Sequence, residues 1–152
     1  MNSSWEQFQE SITTEMRKIY SETTIDHSMN PRNVGNMEDA DGFARLTGSC
    51  GDTMEIWLKV MEGIIVQATF YTDGCGTTIA SGSMLTEIAK GKSITEAQKI
   101  SQQNVLDALG GLPKESQQCA LLAANTLKEA LRDYVTMKNE PWKKAYRKQS
   151  GG

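Results

Sequence analysis

Between Met54 and Tyr71 the hydrophobic period of the chain becomes two and the chain doubles back, and no other stretch restricts the possible folds as tightly. Met54, Ile56, Leu58 and Val60 alternate with Glu55, Trp57 and Lys59, the pattern of a strand with one buried face. Glu62-Gly63 is a short turn, after which Val66, Ala68 and Phe70 alternate with Gln67 and Thr69. The two runs predict an antiparallel hairpin, and a further strand over about 43–48 completes a three-stranded meander.

Helical periods flank this region. Ser3 and Glu6 have the spacing of a capping box, and Trp5, Phe8, Ile12, Met16 and Ile19 follow at helical intervals. The expected use of that stripe is docking on the core; a homodimer or partner interface is the other way of covering it. Asn30-Pro31-Arg32-Asn33-Val34-Gly35 breaks the pattern and leads into a loop. After Cys75 a helix is predicted from Ala80, Met84 and Ile88, with Leu85 and Ala89 beside them and Gly91 as its stop. Ser93 and Glu96 form a second capping box, and a turn or two over 104–109 ends at Gly110-Gly111. Ser116 is the expected N-cap of a long helix carrying Ala123, Leu127, Ala130 or Leu131, and Tyr134. The fold class is therefore α+β, a three-stranded antiparallel sheet with helices packed on it. The chain divides into an N-terminal helix over 1–18, a central domain over 19–137 and a basic tail over 138–152.

A length of 152 residues suits one domain with a proper core. The net charge of −3 argues against general nucleic-acid binding, which needs a broad basic face. The balance is uneven: the tail carries a local +4 and the rest −7. The tail, with Trp142 and Tyr146 among its lysines and arginine, reads as a solvated terminus or as a dock for an acidic surface. No stretch approaches the roughly 20 apolar residues of a membrane span, and the first residues lack a signal-peptide pattern. A cytoplasmic protein is expected. Disulfides are rare there, so three cysteines, an odd number, point to metal or sulfur chemistry.

Those cysteines are Cys50, Cys75 and Cys119. Free cysteine is usually a small core hydrophobe, yet Ser49-Cys50-Gly51-Asp52 and Asp73-Gly74-Cys75-Gly76 are turns on either side of the hairpin, and their glycines allow a close approach to sulfur. Cys75 precedes one predicted helix. Cys119 falls in the first turn of another, where it is expected to be exposed and where the positive dipole end favours thiolate, the form that binds metal or attacks a sulfur donor. Gaps of 25 and 44 residues match no compact metal motif. The pattern alone leaves two readings, one shared site or three unrelated cysteines. A cysteine-nucleophile enzyme is disfavoured, because a nearby general base is needed and His27, the only histidine, is distant in sequence.

Asp26-His27 with Asn30-Pro31-Arg32-Asn33-Val34-Gly35, Cys50-Gly51-Asp52, Gly74-Cys75-Gly76 with Ala80-Ser81, Gly91-Lys92-Ser93 with Glu96-Ala97, and Cys119 with Leu122 together resemble the IscU/NifU N-terminal family of iron-sulfur cluster assembly scaffolds. The resemblance runs in order from about Ile19 to Val135. It implies a scaffold rather than an enzyme, with Cys50, Cys75 and Cys119 gathered at one exposed end as ligands and Asp52 beside them. On it a two-iron two-sulfur cluster is assembled from Fe2+ and persulfide sulfur supplied by a cysteine desulfurase, then passed to apo-acceptor proteins.

Two departures from the family pattern matter. The family has a histidine immediately before the third cysteine, where this chain has Gln118. A two-iron cluster wants four protein ligands, so the fourth position falls to Asp52, Gln118, a small thiol or a partner's cysteine. Taken alone, Asp52 is an ordinary turn residue. With the resemblance it is the favoured ligand, a hard oxygen donor that exchanges readily on a core preferring thiolate. His27 is expected to hold structure rather than metal, and Cys119 to serve also as the persulfide acceptor. The second departure is Leu112-Pro113-Lys114, shorter than the segment recognised by a dedicated chaperone in many bacterial members, which argues for a simpler assembly set. The competing reading is a zinc-binding persulfide acceptor, with Cys50, Asp52, Cys75 and Cys119 as a closed tetrahedral site, that builds no cluster.

Overall fold

The computed structural model describes residues 3–143; most of the basic tail expected over 138–152 lies outside them. Helices α1 (Ser4–Arg17) and α2 (Glu22–Met29) precede a meander of β1 (Gly42–Thr47), β2 (Thr53–Met61) and β3 (Ile64–Thr72). Helices α3 (Gly76–Ala89), α4 (Ile94–Ala97), α5 (Gln102–Leu109) and α6 (Gln117–Asn139) follow, the last entered through a 3-10 turn at Lys114–Ser116. Strand order is β1-β2-β3, antiparallel throughout. The expected sheet and its helical layer are both present.

Alternation decides the sheet. Met54, Ile56, Leu58, Ala68 and Phe70 point to the core and are buried, while Phe43 and Trp57 pair across β1 and β2 with ring centroids 5.3 Å apart. The hairpin turns through Glu62 (φ 52°) and Gly63 (φ 76°), both left-handed, as the right-handed twist of the strands favours. Just past it, pairing slips from Lys59–Gln67 to Val60–Ile65. This bulge leaves Val66 without a partner and reverses the side-chain alternation. Val66 is therefore exposed and Ile65 buried, contrary to the face read from period alone.

Helix α6 covers β1 and β2, α3 covers β3, and α5 packs against both helices. Alanines at 120, 123 and 130 let the α6 backbone approach the sheet, and Leu127 and Leu131 fill the gaps between. On α3, Gly82 seats the helix over Phe70: a Cβ there would lie 2.5 Å from the ring. The Ser93–Glu96 capping box is complete, whereas at Ser3 only the serine side accepts its bond, and Ser116 makes no side-chain cap because the 3-10 turn places it in helical backbone.

The expected docking of the first helix fails. The α1 stripe does not dock on the core: Trp5, Phe8, Ile12 and Ile19 are exposed, and α1 touches mainly α2. The segment before Asn30 is a separate helix. Ser21 caps α2 by accepting from Thr24 N–H, and the Ser21 and Thr24 hydroxyls both donate to the Leu109 carbonyl at the end of α5. Asn33–Gly35 then runs beside β3, with the Phe70 N–H donating to Asn33 O (2.9 Å) and Gly35 N–H to Phe70 O (3.0 Å). At the other end of β3, Ile65 N–H donates to Lys92 O and Gly91 N–H to Ile65 O.

His27 ties α2 to α3. Its Nδ1 lies 2.7 Å from Ser83 Oγ, which also accepts from Arg32 N–H at 2.9 Å. Burial, reinforced by the Arg32 charge, holds the His27 pKa below the ordinary 6.5, against smaller opposing effects of Asp26 and Glu87. The unfolded chain therefore binds a proton near pH 6.5 that the folded one refuses, and stability falls as pH drops below that value. The carboxyls of Asp26, held down by its Arg32 hydrogen bond, and of Glu87, held down by Asn33, lose their contributions only below their usual values of 3.8 and 4.5. Denaturant unfolding stepped downward from pH 7 should show a decline beginning near 6.5 that His27→Gln flattens; equal slopes in the two proteins would remove His27 from this account.

Candidate cluster-binding site

The meander and α6 bring three distant pieces of chain to one end of the molecule: the β1–β2 turn, the β3–α3 junction and the first turn of α6. The β1–β2 turn is closed by Gly48 N–H donating to Asp52 O (2.8 Å) and Gly51 N–H to Gly48 O (3.0 Å). Cys50 projects from it, exposed, and Gly48 has both the Cys50 sulfur and Leu122 of α6 close to the space a Cβ would occupy. Ser49 Oγ donates to Gln118 Oε1 at 3.1 Å, so the residue standing in place of the family histidine fastens this turn to α6.

Cys75 is the N-cap residue of α3 and is exposed. A cleft of about 190 Å³ opens beside it, with Tyr20, Ile25, Ser28 and Ser116 among its lining residues. Ser28 Oγ donates to Gly76 O at 2.8 Å, so α2 braces the helix start that carries this thiol.

Cys119, the third residue of α6, is 6% exposed. This corrects the expectation of an exposed thiol: the side chain faces α3 rather than solvent and is covered by two threonines. Thr77 Oγ1 stands 3.4 Å from its sulfur and 4.0 Å from that of Cys75; Thr78 Oγ1 stands 3.2 Å from the Cys119 sulfur and 2.7 Å from Asp52 Oδ2. Two hydroxyls thus connect Cys75, Cys119 and Asp52. Their close packing depends on Gly74, where a Cβ would fall 2.6 Å from Asp52 Oδ2 and 2.7 Å from Thr78 Cβ.

Cys75, Cys119 and Asp52 are linked through threonine hydroxyls and Cys50 stands on the adjoining turn, but among the described residues no three His, Cys, Asp or Glu side chains converge as metal ligands. Three sulfurs and one carboxylate are nevertheless a donor set suited to iron or zinc. His27 is occupied by Ser83 on the α2–α3 contact. Sequence reasoning missed the threonines. Their only signal is that hydroxyl residues two and three places after Cys75 fall on the first turn of the helix that it caps.

Residues 19–141 match the family model described as NifU-like N terminal domain, and the chain belongs to that family. It is 50% identical over 117 residues to the iron-sulfur cluster assembly scaffold protein IscU 1 of Archaeoglobus fulgidus, covering 76% of each chain. Against the corresponding scaffold of Escherichia coli K12 it is 45% identical over 120 residues, or 76% of this chain and 93% of that one. The crystal structure of a NifU-like N-terminal protein from Brucella abortus superposes with a TM-score of 0.64 at 17% identity, covering 79% of this chain and 96% of that one, a likeness of fold. None of the helices among the described residues is long and apolar enough to cross a membrane.

The three thiols differ in access, and alkylation should read the difference. Brief iodoacetamide treatment of the native apo-protein, followed by peptide mass spectrometry, should label Cys50 and Cys75 before Cys119, with the order lost in denaturant; Cys119 reacting first in the native protein would contradict its burial.

Proposed function

We propose that this chain is a scaffold for iron-sulfur cluster assembly, a carrier rather than an enzyme. A two-iron two-sulfur cluster is its cargo, formed from iron and from persulfide sulfur delivered by a cysteine desulfurase and then passed to apo-acceptor proteins. What supports this reading is that Cys75, Cys119 and Asp52 are linked through the Thr77 and Thr78 hydroxyls, with Cys50 on the turn that carries Asp52, in a chain of the NifU-like family. The relatives named as scaffolds support the general role.

The proposed ligands are Cys50, Cys75, Cys119 and Asp52. Asp52 is favoured as the fourth because its carboxylate already leans toward the Cys119 side through Thr78, whereas Gln118 is engaged by Ser49. A carboxylate on an iron-sulfide core is the hardest and most exchangeable donor of the set, which suits cargo that must leave. Cys119 is proposed as the persulfide acceptor: it sits in the first turn of a 23-residue helix, with the Thr77 and Thr78 hydroxyls 3.4 and 3.2 Å from its sulfur, and a helix N-terminus is a favourable place for a sulfur nucleophile.

Anaerobic reconstitution with iron, cysteine and a desulfurase should give equal iron and acid-labile sulfide, and a visible spectrum that disappears on adding an apo-acceptor. Zinc without sulfide would favour the zinc-bound sulfur acceptor instead. In the same system Asp52→Ala should keep its cluster longer than the unmodified protein; faster loss would remove Asp52 as the labile ligand. With iron omitted, mass spectrometry should find the added sulfur on Cys119, and persulfide confined to Cys50 or Cys75 would refute that assignment.

A further inference from the structure

Thr78 is completely buried, and its hydroxyl meets two proposed ligands from different parts of the chain. A hydroxyl has one proton to give and two lone pairs with which to accept. The short 2.7 Å contact to the Asp52 carboxylate takes the proton. The 3.2 Å contact to Cys119 is then satisfied by the thiol S–H donating back to Oγ1. Among the described residues no hydrogen bond reaches the other carboxylate oxygen, Oδ1. The threonine thus holds Asp52 by one oxygen and leaves the second available to a cation, while the same Oγ1 keeps Cys119 alongside.

The surroundings are shaped around this pair. Gly74, in the junction between β3 and α3, has no side chain where a single Cβ would collide with both Asp52 Oδ2 and Thr78 Cβ. The Asp52 backbone is fixed independently, its carbonyl accepting from Gly48 N–H, so the Thr78 contact sets the direction of the carboxylate rather than the path of the turn. Carboxylate ligands in metal sites are commonly held in this way by a hydrogen bond from outside the ligand set, and losing such a partner typically weakens metal affinity about 10–100-fold.

We propose that Thr78 is the positioning residue of the cation site, orienting Asp52 by a hydrogen bond to Oδ2 so that Oδ1 can ligate beside the Cys119 sulfur. The proposal rests on the ligand set given above and adds to it a residue outside that set. Val in place of Thr78 keeps the branched shape and removes only the hydroxyl; Ser restores the hydroxyl and removes only the methyl.

The test is competitive titration of the apo-protein with Zn2+, together with the absorption of the Co2+ form, which reports the number of thiolates and the geometry around the ion. Neither readout needs iron, sulfide or a desulfurase, so the outcome is independent of whether a cluster is ever built. Thr78→Val should bind Zn2+ about 10–100-fold more weakly and alter the Co2+ spectrum without loss of thiolate ligands, and Thr78→Ser should recover most of the affinity. In an Asp52→Ala background Thr78→Val should cost nothing further. Gly74→Ala, whose added Cβ would crowd both the carboxylate and the Thr78 side chain and so disturb their contact while keeping both groups, should weaken Zn2+ in the same direction, and it serves if the valine variant fails to fold. Thr78→Val binding as tightly as the unmodified protein, while Asp52→Ala does not, would overturn the role of Thr78 alone. Asp52→Ala binding with full affinity would overturn the ligand set and this proposal with it.

Discussion

Burial of one face of α6 against β1 and β2 is the contact on which the cysteine end depends. Ala120, Ala123, Leu127, Ala130 and Leu131 are all removed from water on that face. At roughly 25 cal/mol per Å² of apolar surface, this packing outweighs any single hydrogen bond near the cysteines. It also fixes where the helix begins. Cys119 is carried to the end of the sheet at which β1 turns into β2 and β3 gives way to α3, so residues far apart in sequence share a few ångströms of space. Moving α6 by one turn along the sheet would shift the Cys119 sulfur about 5.4 Å and separate it from both threonines.

The parts of this arrangement that repeat in sequence were the parts that could be read there. Alternation specified β2 and most of β3, and the glycine-bounded turns pointed to Cys50 and Cys75. Period cannot report an extra residue in a strand, so alternation alone puts Val66 on the buried face, whereas the bulge opposite Lys59–Val60 turns it outward. Helix α2 has two β-branched threonines followed by isoleucine and only eight residues, a weak helix by propensity; Ser21, Thr24 and His27 hold it through contacts with Leu109 and Ser83, residues distant in sequence. The apolar spacing of α1 was read correctly as helical, but spacing does not say what a face is packed against. Cys119 was misjudged for a related reason: the first turn of a helix is exposed only when nothing crosses it, and here α3 does.

The same geometry explains why the site is an adjacency of donors rather than a finished cage. Two sulfurs are open to solvent, the third lies behind Thr77 and Thr78, and the carboxylate is turned toward a hydroxyl. Cys119 and Asp52 each have an alternative partner of modest strength in the Thr78 hydroxyl, since a typical intramolecular hydrogen bond contributes about 0.5–1.5 kcal/mol net. For cargo that is to be taken up and given away, ligands with somewhere else to go lower the barrier in both directions. A rigid preformed tetrahedron would favour retention.

The backbone bonds along β3 have a further consequence. A three-stranded sheet ordered β1-β2-β3 leaves β3 on the outside, where unpaired N–H and C=O groups invite another chain to add itself as a strand. Asn33–Gly35 occupies one end of that edge and Gly91–Lys92 the other, while on β1 the Phe43 N–H is taken by the Asp133 carboxylate. Loops that look like mere connections therefore act as guards against strand addition, and they let a small domain expose two thiols at its tip without also offering an open sheet edge along the whole of β3.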